Sequence, residues 1–438
     1  MSAPFFTIAI PTKNRPERVG NAVRSLVEQT FGDLEVIVCD NSDEAESEHT
    51  AAIVDGFDDP RVRYVRTNGR LSMPDNWDHA IAEARGEYVG ILTDRSVFRR
   101  DALEVVHREI ESTGAQLVNW FNDLYGRGPE GTELKRRACT FNRYRHSGGQ
   151  ILDYFVHGDP KYATKVVPKL MTSVCRRSIL ETIRSTAVGR VCPPVAPDFT
   201  SGYLMLAHVE FVLTIDESLY VSCGSGNGAD FRRGGALAER FRTDLGMEWH
   251  DFVDHMPSDA CFAHALVLND LMRVRATVPD LFGDIAIDRP QYYLGCLNDY
   301  VKAARHGARR DVDLDLLLAA LEREPREVAK RVKQTSLYAG AVATGGVKER
   351  VAASIASITP DPFPAFDTVF DAMAWDEANP REPIDASFVD LRYGIDQMKK
   401  VKTRRKYRRL RKAVGRVPFV NRSLARVNGM RNTRRAPT

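Results

Sequence analysis

The sequence predicts an α/β fold on a mainly parallel sheet, followed by a helical region and a basic tail. Three observations carry this. Over the first 120 residues, short apolar runs alternate with stretches whose apolar residues recur at helical spacing. Each run closes on polar residues at its carboxyl end, where ligands sit in sheets of this kind. The chain has 438 residues, 43% of them hydrophobic and 28% charged, enough for a sizeable core and two or three domains.

Phe6 to Ile10 reads as a buried strand ended by Pro11. Pro16 opens a helix in which Val19, Ala22, Val23, Leu26 and Val27 share a face. Leu34 to Cys39 is the second strand, closing on Asp40-Asn41-Ser42. After another helical pattern, Val62 to Val65 is the third. Pro74 starts a helix through Trp77, Ala80, Ile81 and Ala84 that Gly86 ends. Tyr88 to Leu92 is the fourth strand and Leu117 to Phe121 a fifth. Residues 122–170 contain several glycine breakers and read as a loop-rich insertion. Leu170 to Cys175 is a strand, Arg176 to Ala187 a helix, and Leu219 to Cys223 a strand before a glycine-rich loop. The expected organisation is a first domain over 1–238, a helical domain over 239–356, an irregular linker over 357–398 and a tail over 399–438.

Several classes are excluded or disfavoured. No run approaches the 18 apolar residues of a spanning helix. The opening residues lack a basic region before an apolar run, so a secretory signal is not expected. Seven scattered cysteines without a C-x-x-C pair argue against a disulfide framework and for a cytoplasmic setting. Neither G-x-G-x-x-G nor a P-loop motif occurs.

Charge is unevenly spread. The 62 Lys and Arg residues split 46 and 16 across position 398, whereas all 59 Asp and Glu precede it, leaving residues 1–398 at −13. In the tail, Lys399, Lys400, Lys402, Arg404, Arg405, Lys406, Arg408, Arg409, Arg411 and Lys412 are interleaved with Val401, Tyr407, Leu410 and Val414. That pattern is a basic amphipathic helix suited to an anionic membrane surface. A disordered or partner-binding end, or a nucleic-acid tail, would carry the same charge.

Four blocks in order narrow the fold. They are Ile8-Ala9-Ile10-Pro11-Thr12-Lys13-Asn14-Arg15, Ser25-Leu26-Val27-Glu28-Gln29-Thr30-Phe31, Glu35-Val36-Ile37-Val38-Cys39-Asp40-Asn41-Ser42, and the stretch from Asn76-Trp77 through Ala84-Arg85-Gly86-Glu87-Tyr88-Val89 to Leu92-Thr93-Asp94. Together they resemble family-2 glycosyltransferases. The resemblance is close over residues 5–105 and loose over 170–230. It implies a GT-A (Rossmann-like) nucleotide-sugar-binding domain and inverting transfer from a nucleoside diphosphate sugar, UDP-linked by expectation. The implied acceptor is a hydroxyl of a saccharide or lipid-linked saccharide, in polysaccharide synthesis at the cell envelope.

Carried over by position, Pro11, Thr12 and Arg15 lie beside the nucleoside, and Asp40 accepts from the base. Asn68, Arg70 and Asn76 approach the ribose or diphosphate. Relatives carry Asp-x-Asp where this chain has Thr93-Asp94-Arg95-Ser96. The lost carboxylate is replaced by Arg95 or Ser96, depending on alignment. Two readings stay open: Arg95 offsets the diphosphate charge without a metal, or Asp94 with another carboxylate still holds Mg²⁺ or Mn²⁺. A decayed site, leaving a binding or scaffold subunit, is the non-enzymatic alternative. The resemblance makes Asp198, behind Pro197, the general base; a helix N-cap is its structural alternative. Arg232 and Arg233 fall in the loop that in relatives closes over the diphosphate.

Overall fold

A computed structural model describes residues 3–67, 70–128, 131–224, 235–305, 311–343 and 364–384. Its contacts join Met1–Glu382 into one unit and Pro383–Thr438 into another. The basic tail, with the amphipathic helix expected there, lies outside the described residues, as do Asn68, Arg232 and Arg233.

The first half alternates strand and helix as expected: β1 (Phe6–Thr12), α1 (Pro16–Val27), β2 (Leu34–Asp40), α2 (Glu44–Asp55), β3 (Val62–Arg66), α3 (Met73–Ala82) and β4 (Tyr88–Ile91). A short β5 (Ser96–Phe98), α4 (Ala102–Thr113) and the long β6 (Leu117–Gly128) follow. Residues 122–170 are more regular than their glycines suggested. They hold the end of β6, β7 (Gly131–Lys135), β8 (Arg143–His146), α5 (Gly148–His157) and α6 (Pro160–Ala163). The glycines serve turns and close approaches: Gly131 has φ +137°, and a Cβ on Gly148 would stand 1.9 Å from the Leu206 carbonyl oxygen.

Beyond them come β9 (Ser173–Arg176), α7 (Arg177–Ser185), α8 (Pro197–His208) and β10 (Val212–Cys223). The strand expected from Leu170 begins as a 3₁₀ turn over Leu170–Thr172 and becomes extended only at Ser173. Helices α9 (Ala236–Leu245), α10 (Ala263–Thr277), α11 (Pro279–Phe282), α12 (Arg289–Arg305), α13 (Asp311–Glu322), α14 (Arg326–Lys333) and α15 (Ser336–Val342) make up the helical region. It is tied to the sheet domain by the Tyr203 hydroxyl, which donates to the Val267 carbonyl at 2.9 Å.

The stretch read as an irregular linker contains α16 (Val369–Ala378), opened by a Thr368–Asp371 capping box. The hydroxyl and carboxylate each satisfy an orphan amide of the first turn, which offsets the prolines on either side.

The sheet order is β3-β2-β1-β4-β9-β6-β10-β5, with β7 beside β6 and β8 beside β10. Strands β3, β2, β1 and β4 are parallel, as are β6 and β10, while β9 is antiparallel to both β4 and β6. Strands β1 and β2 are buried at every residue, which is why they read as unbroken apolar runs. Gly86 of the Arg85-Gly86 block has a packing role. A Cβ there would lie 2.5 Å from the Thr7 amide, whose hydroxyl accepts the Gly86 N–H at 2.8 Å. Among the described residues no helix is long and apolar enough to cross a membrane.

Candidate active site

The parallel strands bring their carboxyl ends to one rim. Pro11 and Thr12 finish β1, and Thr12 donates its hydroxyl to Asp94 at 2.9 Å. Arg15 Nε lies 3.1 Å from the same Asp94 oxygen. Asp94 is 2% exposed. Burial pushes its carboxyl above the ordinary range; the guanidinium of Arg15, the Thr12 hydroxyl, Arg18 and Arg95 oppose that.

Asn14 sets the turn that delivers Arg15. It has a left-handed φ of 55°, tolerated by asparagine. Its side chain accepts from the Asp43 amide at 2.9 Å and donates to the Asp43 carboxylate at 3.0 Å. The loops after β1 and β2 are thereby fastened together. Asp40 is fully buried at the end of β2, where one oxygen accepts from the Ser42 amide and the other from the Tyr64 hydroxyl. Arg70 is exposed and rests on Asp43 at 2.9 Å. Asn76 is 4% exposed and lies beneath the rim. There its amide reaches the carbonyls of Thr12 and Cys39, each at 3.5 Å, so it props strand ends instead of facing a ligand.

Arg95 and Ser96, the two candidates for the place of the lost carboxylate, both line the cleft but differ in burial. Ser96 opens β5, is buried, and shares its hydroxyl with Thr93 and Ser222. Arg95 is half-buried and donates to the Gly224 carbonyl at 3.3 Å, where the glycine-rich loop begins. A cleft of about 290 Å³ opens beside Asp94 and Arg95. Its walls are Glu17, Arg18 and Asn21 of α1, Ser96 and Val97 of β5, Tyr125 and Gly126 of β6, Thr132 of β7, and Cys223 with Gly224. Tyr125 and Thr132 carry no sequence signal, because they belong to the stretch that reads as loop.

Three guanidiniums, Arg15, Arg18 and Arg95, act on the Asp94 carboxylate, and Glu17 is the second carboxylate of the lining. A divalent cation would therefore meet an excess of positive charge. Among the described residues no three His, Cys, Asp or Glu side chains gather to hold a metal ion. The described lining thus sets two carboxylates, Asp94 and Glu17, beside the guanidiniums of Arg18 and Arg95.

Asp198 sits in the first turn of α8, one residue after Pro197. The N-cap is Ala196, and no side chain caps this helix, so the capping alternative does not describe Asp198. Its carboxylate is partly exposed and lies 3.4 Å from the Lys169 ammonium, which stands 3.9 Å over the Phe199 ring. Two charges meet near Tyr220: burial pushes its hydroxyl up, Arg95 lowers it and Asp198 raises it. The start of α8 is held from behind by Asp270 of α10, whose oxygens accept the Val195 and Ala196 amides at 3.0 and 2.8 Å. Burial pushes the Asp270 carboxyl up to about 7, opposed by those two amides.

This geometry can be set beside known proteins. The model of the family described as "Glycosyl transferase family 2" matches residues 7–167, which include β1, β2, β4 and the Asp94-Arg95 turn. The segment is a family-2 glycosyltransferase domain. Over 106 residues the chain is 31% identical to the GalNAc(5)-diNAcBac-PP-undecaprenol beta-1,3-glucosyltransferase of Campylobacter jejuni, covering 24% of this chain and 33% of that protein. Succinoglycan biosynthesis protein ExoO of Rhizobium meliloti is 25% identical over 115 residues, 26% of this chain and 32% of that protein. The chain thus spans about a third of the length of either relative. The crystal structure of S. aureus TarS 1-349 in complex with UDP-GlcNAc aligns with a TM-score of 0.41 and 14% identity, covering 76% of this chain and 90% of that one. Within this glycosyltransferase domain, the Thr12, Arg15 and Asp94 cluster occupies the strand-end rim that the resemblance marks for the donor.

Proposed function

We propose that the chain moves a sugar from a nucleoside diphosphate donor, UDP-linked, to a hydroxyl of a saccharide or lipid-linked saccharide, with inversion. The observation that carries this reading is the Arg15–Asp94 pair at the strand ends, with Arg95 beside it on an open cleft. Guanidinium groups so placed suit the two phosphates of a leaving nucleotide, and bidentate contacts would fix its orientation. In this reading Arg15, Arg18 and Arg95 hold the diphosphate without a metal, while Asp40 shapes the base end of the rim. Asp198 takes the acceptor proton late in the displacement. Lys169, 3.4 Å away, holds that carboxylate in place.

The lipid-linked acceptor is suggested by the Campylobacter relative, whose name specifies a polyprenyl-pyrophosphate-linked glycan. The 16 basic residues after position 398 favour an anionic membrane surface, where roughly 1 kcal/mol per nearby Lys or Arg accumulates. Titration calorimetry with UDP-, GDP- and dTDP-sugars, with and without EDTA, tests the donor. Heat with a UDP-sugar that survives the chelator supports the reading; no heat with any donor overturns it and favours the scaffold alternative. Flotation on phosphatidylserine against phosphatidylcholine vesicles, before and after truncation at 398, tests the surface. Equal flotation of the truncated protein rejects it, and salt-sensitive RNA or DNA binding lost on truncation would point to nucleic acid instead.

A further inference from the structure

Residues 364–382 return to the cleft from far along the chain, and what they touch is the back of its lining. Phe366 donates its amide to the Thr132 carbonyl at 2.9 Å and accepts from the Tyr125 hydroxyl at 2.8 Å. Val369, Ala372 and Met373 of α16 form an apolar cluster with Val97, Leu134 and Val221, and Tyr125 and Cys223 pack against it. On α1, three residues after the lining residue Asn21, Arg24 stands 4.2 Å over the Phe370 ring. Ala365 lies against the turn between β6 and β7, where a Cβ on Gly131 would meet its Cβ at 2.9 Å. The same short segment thus touches the β5, β6 and β7 side of the lining at Val97, Tyr125 and Thr132, and meets α1 at Arg24.

A buried charge cluster fastens its far end. Arg381 pairs with both Asp123 and Asp376, the latter at 2.6 Å. Arg99, directly after β5, reaches the same two carboxylates at 2.7 Å each, and Arg136 reaches Asp376 at 2.6 Å. Asp123 is fully buried and lies two residues before Tyr125 on β6. Removing one member of such a cluster leaves its partners charged and dry, so the segment cannot loosen by small steps. A lysine at 381 would not repair it, because one ammonium lacks the planar fork that spans two carboxylates.

We propose that residues 364–382 are a strap that sets the width of the donor cleft, with Arg381 as the positioning residue that locks it. The strap rests on the reading of the cleft as the donor site, but it is testable apart from it. Arg381 touches no ligand in this account; it acts through Asp123 and Tyr125.

The experiment uses the full chain, with UDP as the probe in calorimetry and amide hydrogen exchange as a readout independent of ligand. Arg381→Ala is expected to raise exchange in α16, in β7 and at the end of β6, and to weaken UDP binding at least tenfold. Arg381→Lys should recover only part of that loss. Arg24→Ala, at an exposed position of α1, should raise exchange in α16 and weaken UDP two- to threefold, and it carries the test if Arg381→Ala does not fold. Increased exchange confined to α16 with unchanged UDP affinity overturns the proposal, as does unchanged exchange in both variants. Should the wild type bind no UDP, the donor reading fails, and the strap then stands or falls on whether exchange rises in β6 and β7.

Discussion

Arg15 and Asp94 meet at 3.1 Å across the ends of β1 and β4, with the carboxylate dry and the guanidinium facing the rim. A buried acid normally resists ionisation, and here burial does push the carboxyl up while the arginines pull it back. In the proposed donor reading, the pair holds an arginine where the nucleotide's phosphates arrive.

Arg15→Ala is expected to weaken UDP-sugar binding by about 10–100-fold, the range of a charge-assisted contact worth about 1.5–3 kcal/mol. Arg15→Lys should recover only part, since the fork is lost. Calorimetry on both variants reads the difference.

Arg95 stands on the cleft beside Asp94 and touches the root of the glycine-rich loop. Transfer by the wild type is expected to persist in EDTA. Arg95→Ala should lower kcat by about 10²-fold, as removal of one preorganised charge stabiliser does. Arg95→Asp adds a carboxylate beside Asp94, and the little activity it retains should then depend on added Mn²⁺.

Asp198→Asn should leave UDP affinity within a factor of two and reduce transfer by about 10²–10⁴-fold, the range of general base catalysis. Equal loss of binding and transfer would assign Asp198 to the donor side instead.

Asp270 gives a pH signature. Its carboxyl is raised from the ordinary range to about 7 in the folded chain, so the fold binds a proton that the unfolded chain has released. Its contribution to stability is therefore full below about pH 4 and is lost as pH rises to about 7. The difference in urea midpoint between wild type and Asp270→Asn should follow that window. Arg273 and Asp198 shift it in opposite directions.

Gly86→Ala should destabilise the fold by about 1–3 kcal/mol, because its methyl would press on the β1 backbone at Thr7. Donor affinity of the folded fraction should be unchanged, since Gly86 and Thr7 lie at the opposite end of β1 from Thr12.

The sequence by itself determined the alternating strands and helices of the first half, because strands buried on both faces and helices buried on one leave distinct periodicities. It also placed Thr12, Arg15, Asp94 and Asp198 at element ends, where polar residues interrupt those patterns. Only the tertiary structure decided that Arg95 stays half-buried on the cleft while Ser96, also on its wall, is buried at the start of β5, since adjacent positions at a turn have no period to follow. It alone turned Asn76 inward, put Asp270 behind α8, and brought Arg381 to Asp123 across 258 residues of chain. Such contacts join side chains distant in sequence, and no local pattern of polarity records which carboxylate a far guanidinium will meet.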